Sequence, residues 1–477
     1  MKNKSRTFLT NLIYAFGAQV ISLILSILMS LIVPKVLGIE DYSFWQLFIF
    51  YIGYVGFAHF GLVDGIYLRF GGKKYEELDY SLLSTQFWLS LIIQFIIAMI
   101  LIMMACFFEV DKNRVIVIYC ALIYMLIYNA NGFLGYIFQA VNQTRVYSIS
   151  VMVDKIVFII AVIFAIIKRN NNFEFFIVMY IISKLISLIF CVFYGRKIIF
   201  SKIKISMKVI KDALKSIVVG SKLLFANIAG TLILGIGRYF IDRSWGIELF
   251  GKVSLSLSMS NFFLQFISQI SMVLFPTLRL AKQEELKNIY NYMSKILSAF
   301  LPIILLCYIP IKSILSIWIP EYKVSLEYMG LLLPLCIFDG KMQLLCNTYF
   351  KVLRKENLLL KINIITAIIS LVLNFFATYV FKNMYLVIIF MVVVIAVRSI
   401  ISEIYLANIM ESKVFKSIML ELLLTIIFML ISWYMDDVKA FILFFIIYSI
   451  YICLNRKIVL SLIKRTMPNK FRYKVSN

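Results

Sequence analysis

The sequence predicts an all-α integral membrane protein of about fourteen transmembrane helices: two parallel, pseudo-symmetric six-helix bundles and two further C-terminal helices. Three observations predict it. The chain has 477 residues, 62% of them hydrophobic and only 15% charged, with a mean hydropathy of +0.95. A soluble domain carries about 45–50% apolar and about 25% charged residues, so a water-soluble globule of this length could not hide the excess. Apolar runs long enough to cross a bilayer recur along nearly the whole chain. Finally, Lys and Arg number 48 against 24 Asp and Glu, and the excess gathers in alternate connecting segments. No stretch remains for a separate soluble domain, which excludes a soluble enzyme on a membrane anchor.

A helix needs about 20 apolar residues to cross the hydrocarbon core. The runs fall at roughly 10–33, 43–67, 82–107, 114–141, 146–167, 174–195, 216–240, 250–277, 293–317, 326–350, 357–380, 384–408, 416–434 and 438–455. The first follows Lys2, Lys4 and Arg6, is too long for a signal-peptide core, and is read as a mature helix. With an even number of spans both termini share one side. If that side is the cytoplasm, about 31 of the cations lie in cytoplasmic segments, about 11 in external ones and about 6 inside spans, as the positive-inside rule expects. The predicted orientation is therefore N-in/C-in. External loops are about ten residues or fewer, too short for an external catalytic domain.

The longest connection, 196–215, is cytoplasmic and carries Arg196, Lys197, Lys202, Lys204, Lys208, Lys211 and Lys215. It separates a first set of six spans (1–195) from a second (216–415), leaving 416–477 as two extra helices, read as an appendage, and a basic cytoplasmic tail. Short matches recur across it. Leu37-Gly38-Ile39-Glu40 is matched by Trp245-Gly246-Ile247-Glu248 at an offset of 208. Tyr67-Leu68-Arg69-Phe70 is matched by Thr277-Leu278-Arg279-Leu280 at 210, and Glu76-Glu77-Leu78 by Glu284-Glu285-Leu286 at 208. Three matches in one order at nearly one offset indicate an internal repeat. Six spans per copy give both copies the same orientation, so the expected symmetry axis runs along the membrane normal. Transporters of this plan bind substrate between their halves and rock them.

On these residues the chain resembles the polysaccharide-biosynthesis flippases (Wzx type) of the multidrug/oligosaccharidyl-lipid/polysaccharide (MOP) exporter superfamily. The resemblance rests on Gly-Ile-Glu after the first helix of each half, on Phe60-Gly61-Leu62 and Leu68-Arg69 closing the second helix, and on Leu373-Asn374 in the eleventh. It covers essentially the whole chain. It implies a multi-pass protein of the bacterial cytoplasmic (inner) membrane that moves undecaprenyl-pyrophosphate-linked oligosaccharide units, for O-antigen or capsule, from the inner to the outer leaflet. Two other exporters of the superfamily, for drugs and for the lipid-linked peptidoglycan precursor, are the alternatives. A membrane glycosyltransferase or polymerase is the alternative of a different class, and the short external loops argue against it.

Ionisable groups inside a span are costly and face an interior or a hydrated cavity. Lys155, Lys184, Lys222, Lys341 and Arg398 lie deep, with Arg238 toward an external end, against two deep acids, Asp154 and Asp339. An uncompensated buried cation calls for an anion, and a lipid pyrophosphate supplies one. These six cations form the candidate substrate-binding set; each could instead pair across helices and lock packing. Asp154 and Lys155 are neighbours about 100° apart on a helix and are not expected to face each other. Asp154, Asp339 and Asp64 are candidates for a coupling H⁺ or Na⁺, with Asp64 also readable as a solvated helix-end acid and Glu403 placed near a cytoplasmic end.

No phosphate-binding glycine loop is present, so no ATP hydrolysis is expected and no cofactor, catalytic residue or metal site is assigned. The seven cysteines, Cys106, Cys120, Cys191, Cys307, Cys336, Cys346 and Cys453, form no C-x-x-C pair and read as small core hydrophobes. The single histidine, His59, reads as a satisfied core residue. Gly230, Gly235 and Gly237 would allow close helix approach, and Pro302, Pro310 and Pro334 would kink the ninth and tenth spans. The expected partners are the lipid-linked glycan, membrane lipids and a polysaccharide polymerase or glycosyltransferase; the basic segments 196–215 and Lys464, Arg465, Lys470, Arg472 and Lys474 read first as topology-retaining charge, with contact to anionic lipids or a cytoplasmic glycosyltransferase as the alternative. No nucleic-acid partner is expected.

Overall fold

In lipid every backbone polar group must be satisfied within the chain, which leaves helices as the economical choice for a sequence of long apolar runs. The computed structural model describes residues 2–109 and 111–455, without the side chains of 2–12, 269–277 and 280. It is helical, with no strand among the described residues. Eleven helices are long and apolar enough to cross a membrane, and up to thirteen if each of two bent helix pairs is one span. The protein is thus a multi-pass membrane protein. The predicted run 250–277 falls on the continuous helix Ile247–Leu280, part of whose side chains lie outside those described. The basic tail after residue 455, with Lys464 to Lys474, lies outside the described residues altogether.

The chain divides into two compact units. The first is Met1–Gly235 with Gly246–Ser254, the second Ile236–Trp245 with Leu255–Asn477. The helices Phe415–Tyr434 and Asp437–Leu454 belong to the second unit. They are packed into it rather than appended. Tyr448 and Tyr451 donate to the carbonyls of Ala299 and Ser298 at 3.0 and 2.6 Å, and Lys312 pairs with Asp437 at 2.6 Å.

The repeated tetrapeptides have matching local roles. Gly38 and Gly246 both take positive φ, +74° and +87°, where the chain turns from one helix into the next. Glu77 and Glu285 each turn a carboxylate back onto the backbone N–H of the third residue before it, Lys74 at 3.2 Å and Lys282 at 3.0 Å, satisfying a donor at a helix start. Leu78 and Leu286 are buried.

Within the first unit, the second predicted span is bent by 58° between Val33–His59 and Leu62–Phe70. Phe60 and Gly61 occupy the left-handed region at the break, with φ of +52° and +85°. His59 is satisfied there: its Nδ1 accepts from the Gly61 N–H at 3.0 Å. The short Leu62–Phe70 helix then lies directly on the helix Met207–Trp245. A Cβ on Gly61 would strike the backbone of Ser221, one on Gly65 the carbonyl of Ser216, and one on Gly220 the carbonyl of Gly61. This is small-xxx-small packing from both sides, Gly61/Gly65 against Ser216/Gly220, which lets backbones touch where lipid offers no hydrophobic drive.

Arg69 fastens the end of that contact. Its guanidinium donates to Asp212 Oδ1 at 2.5 Å, Oδ2 at 3.2 Å and the Asp212 carbonyl at 2.9 Å, and to Ser216 Oγ at 2.6 Å. Gln86 adds a bond to Asp212 at 3.1 Å. The 196–215 connection is accordingly not a free tether. Ser81 donates to the Lys202 carbonyl at 2.7 Å, Trp88 Nε1 to that of Ile199 at 3.2 Å, and the Lys204 N–H to Thr85 at 3.0 Å, which docks it on the helix Tyr80–Phe108.

In the second unit, the chain breaks at Pro302 between Gln283–Phe300 and Ile303–Leu306, and bends by 47° at Leu333–Pro334 between Pro320–Leu332 and Leu335–Val352. Pro310 sits instead in the first turn of Tyr308–Trp318, where its missing N–H costs nothing. Two π-helical turns, Met342–Cys346 and Phe376–Val380, follow Lys341 and Asn374. The seven cysteines are free, and Cys106, Cys307 and Cys453 are exposed at the surface rather than buried as expected.

The glycine contact gives a direct prediction. Gly65→Leu should lower the thermal midpoint of the purified protein, an overpacking cost of about 1–3 kcal/mol or more. Gly132→Ala, where a Cβ meets nothing within 4 Å, should leave it unchanged or slightly raised.

Candidate functional site

The first unit holds a charge cluster built on the helices Thr144–Lys168 and Phe173–Tyr194. Asp154 is buried. It accepts from Lys184 Nζ at 3.2 Å and from Ser183 Oγ at 3.1 Å. Lys155 Nζ also reaches Asp154 Oδ2, at 3.6 Å. The expectation that these neighbours do not face each other is corrected: their Cβ atoms diverge, but a four-carbon stem is long enough to fold the ammonium back. Two ammonium groups therefore share one carboxylate, and the cluster carries a net charge of about +1.

Its walls are aromatic. Lys155 Nζ lies 5.7 Å from the Tyr180 ring centroid, and Lys184 Nζ 5.3 Å from that of Tyr128. Tyr124 stacks on both rings, at 5.5 and 5.7 Å, and Phe158 meets Tyr180 edge-on at 4.8 Å. Ring faces supply partial negative charge to cations that lack a full counter-ion. Helix periodicity places these groups together: Tyr124 and Tyr128, Tyr180 and Lys184, and Asp154 and Phe158 are each four residues apart. The Lys155 side chain is 22% exposed, against 10% for Lys184. Lys155 is thus the better placed of the two to meet a ligand.

The second unit places its cations differently. Arg398 donates to Asn363 Oδ1 at 2.9 Å and lies 3.6 Å from Asp339, which also accepts from Gln343 at 2.7 Å. Lys341 sits 2.8 Å from Glu403 and 2.8 Å from Glu421. The expectation of only two deep acids is therefore corrected. Glu403, placed near an end by the sequence reading, is sealed, and Glu421 was not counted at all. The signal was there, since Glu421 is the single ionisable residue between Ser417 and Tyr434.

The other expected residues are dispersed. Lys222 is exposed on the helix Met207–Trp245. Arg238, on the same helix, is half-buried and engaged with neighbours. Asp64 is buried, not a solvated helix-end acid, and its carboxylate faces His59 Nε2 at 3.8 Å. The structure thus brings Lys155, Lys184 and Asp154 into one cluster, and Arg398 with Asp339 into another.

A family model described as polysaccharide biosynthesis protein matches residues 8–282, more than half of the chain. The chain belongs to this polysaccharide biosynthesis family. No curated protein matches it. Among solved structures, the fold is similar to that of the lipid II flippase MurJ in an inward closed conformation, with a TM-score of 0.57 and 13% identity over 92% of this chain and 98% of that one. It is also similar to an inward-facing multidrug resistance MATE transporter of the MOP superfamily (0.58, 13%, 84% and 98%). A third similar structure is a MOP superfamily transporter from Pyrococcus furiosus Vc1, described as having a binding pocket of reversed polarity (0.53, 14%, 84% and 94%). This member of the polysaccharide biosynthesis family therefore has the MOP transporter fold.

The two lysines on Asp154 differ in burial in this family member, and so in what their loss should cost. Asp154→Asn should strand Lys184 without its carboxylate and lower the thermal midpoint, a loss of about 3–5 kcal/mol for a buried pair broken on one side. Lys155→Gln should leave the midpoint nearly unchanged, because its ammonium is partly exposed and Asp154 keeps Lys184.

Proposed function

We propose that this protein is a flippase that carries undecaprenyl-pyrophosphate-linked oligosaccharide units from the inner to the outer leaflet of the bacterial cytoplasmic membrane by alternating access, for surface polysaccharide export. In this reading it has fourteen spans in two six-helix halves plus a C-terminal pair, with both termini in the cytoplasm. The observation that carries the reading, beside the family, is the net positive, aromatic-walled Lys155/Lys184/Asp154 cluster in the first unit. A pyrophosphate supplies the missing negative charge, and Tyr rings offer stacking faces to sugars. Lys155 and Lys184 are the leading substrate contacts; Lys222 in the first unit and Arg238 and Arg398 in the second are the further candidate cations. Lys341 is committed to its two carboxylates. Asp64, without a Lys or Arg partner among the described residues, is the leading carboxylate for a coupling H⁺ or Na⁺. The basic 196–215 segment keeps exposed lysines for anionic lipids or a cytoplasmic glycosyltransferase.

A second reading, transport of the peptidoglycan lipid precursor, is supported by the similarity to the lipid II flippase fold. The two substrates share a polyprenyl pyrophosphate, so the same cluster serves either. Export of cationic drugs is disfavoured, because a net positive cluster repels them.

Liposomes containing the protein and a labelled undecaprenyl-pyrophosphate glycan should show leaflet exchange above protein-free vesicles. Lys155→Gln should slow it about tenfold, the worth of one charge-assisted contact. Faster exchange of the peptidoglycan precursor than of the oligosaccharide would select the second reading. Exchange of neither lipid under any imposed ion gradient would reject both.

A further inference from the structure

Lys341, Glu403 and Glu421 form the most deeply buried charge cluster of the second unit, with side chains 1%, 2% and 2% exposed. The ammonium donates to Glu403 Oε2 and Glu421 Oε2, each at 2.8 Å. Glu403 Oε1 accepts from Ser294 Oγ at 2.8 Å. Glu421 Oε1 is different: it is buried beside the Ser298 hydroxyl, and neither atom has a partner at full hydrogen-bond geometry.

From Gln283–Phe300, Tyr290 donates to the Glu403 carbonyl at 3.1 Å, while Lys295 points outward and Lys287 pairs with Glu411. From Met384–Ile409, Arg398 is engaged with Asp339. From Asp437–Leu454, Tyr448 and Tyr451 donate to backbone carbonyls. On Lys323–Leu332, which also packs on Phe415–Tyr434, Lys323 is exposed, Glu327 is half-buried and Tyr328 lies against Tyr385. Two carboxylates thus meet one cation, and no second cation pairs with them among the described residues. Fully ionised, the cluster would hold a bare negative charge in a dry interior, which two carboxylates that close together avoid by retaining a proton.

We propose that this cluster is a proton-binding site, with one exchangeable proton held on Glu421 Oε1. Proton uptake from water forms the O–H bond on Oε1, which then donates to Ser298 Oγ. This satisfies both orphaned atoms and brings the cluster to neutrality. Release returns the proton to water and leaves the carboxylate. A metal cation does not fit in its place, because the Lys341 ammonium already fills the space between the carboxylates. Among the described residues no group of three His, Cys, Asp or Glu is placed to hold a metal ion. The site joins the helix Phe415–Tyr434 to three others, so its protonation state bears on how the C-terminal helix pair is held. It stands independently of which lipid is carried.

Infrared spectra of the full-length protein in nanodiscs, followed across pH, test the site. The wild type should show a protonated-carboxyl C=O band at neutral pH that declines as pH rises. Glu421→Gln should remove that band, and Glu403→Gln should remove it too, because a single remaining carboxylate is neutralised by Lys341. Lys341→Met should enlarge it roughly twofold, since both carboxyls then hold protons. Either glutamine variant suffices if the other does not fold. A wild-type pH-dependent band retained in the glutamine variants, no growth in Lys341→Met, or replacement of the pH dependence by a sodium dependence would overturn the proposal.

Discussion

Hydrocarbon does not solvate charge, and that constraint organises this protein. A bare ion in the bilayer interior is costly enough that each deep ionisable group must find a partner on another helix or a hydrated opening. Asp154 finds Lys184, Arg398 finds Asp339 and Asn363, and Lys341 finds Glu403 and Glu421. Each pairing joins different helices, neighbouring ones for Asp154 with Lys184 and more distant ones for Lys341 with Glu403 and Glu421, so the electrostatic requirement also specifies which helices pack. In water these contacts would be minor contributors. In a medium where the helices have no hydrophobic reason to associate, they carry a larger share of the specificity.

Close packing does the rest. The Gly61/Gly65 and Ser216/Gly220 faces bring two backbones into contact, and Arg69 locks that contact at one end through Asp212. The same region holds the break at Phe60–Gly61, so a bent span is braced on a straight helix immediately after its bend. The docking of 196–215 on Tyr80–Phe108 extends this bracing, leaving a basic segment whose backbone is fixed while its lysine heads stay in solvent.

Most of the fold was legible in the sequence because membrane spans announce themselves by length and apolarity, without reference to their neighbours. The repeat was legible for a related reason: Gly38 and Gly246, and Glu77 and Glu285, have backbone tasks that few residue types perform. Proline at 302 and 334 correctly marked breaks. The charge balance was less legible, since pairing across helices has no linear signature. Lys155 folds its ammonium back to Asp154, a contact that direction at Cβ does not reveal. Glu403 was discounted by its distance from a span end, and Glu421 because its helix has no counterpart in the repeat and was treated as an appendage. A rule that weighs every lone acid inside an apolar run, whichever run it is, would have found both.

Exposure, more than charge count, separates the two clusters. The second unit's triad is sealed and carries one carboxylate too many, an imbalance small enough for a proton to correct in place. The first unit's cluster has one ammonium too many, and its spare cation, Lys155, is the partly exposed member beside the Tyr180 ring. Its excess is of ammonium, which loss of a proton or arrival of an anion corrects, and the partial exposure of Lys155 gives an outside anion access to it. A sealed acidic excess and an accessible basic excess therefore suit different occupants in the proposed reading, a proton for the first and an anionic head group for the second. That distinction follows from the burial and charge of six side chains, before any substrate is named.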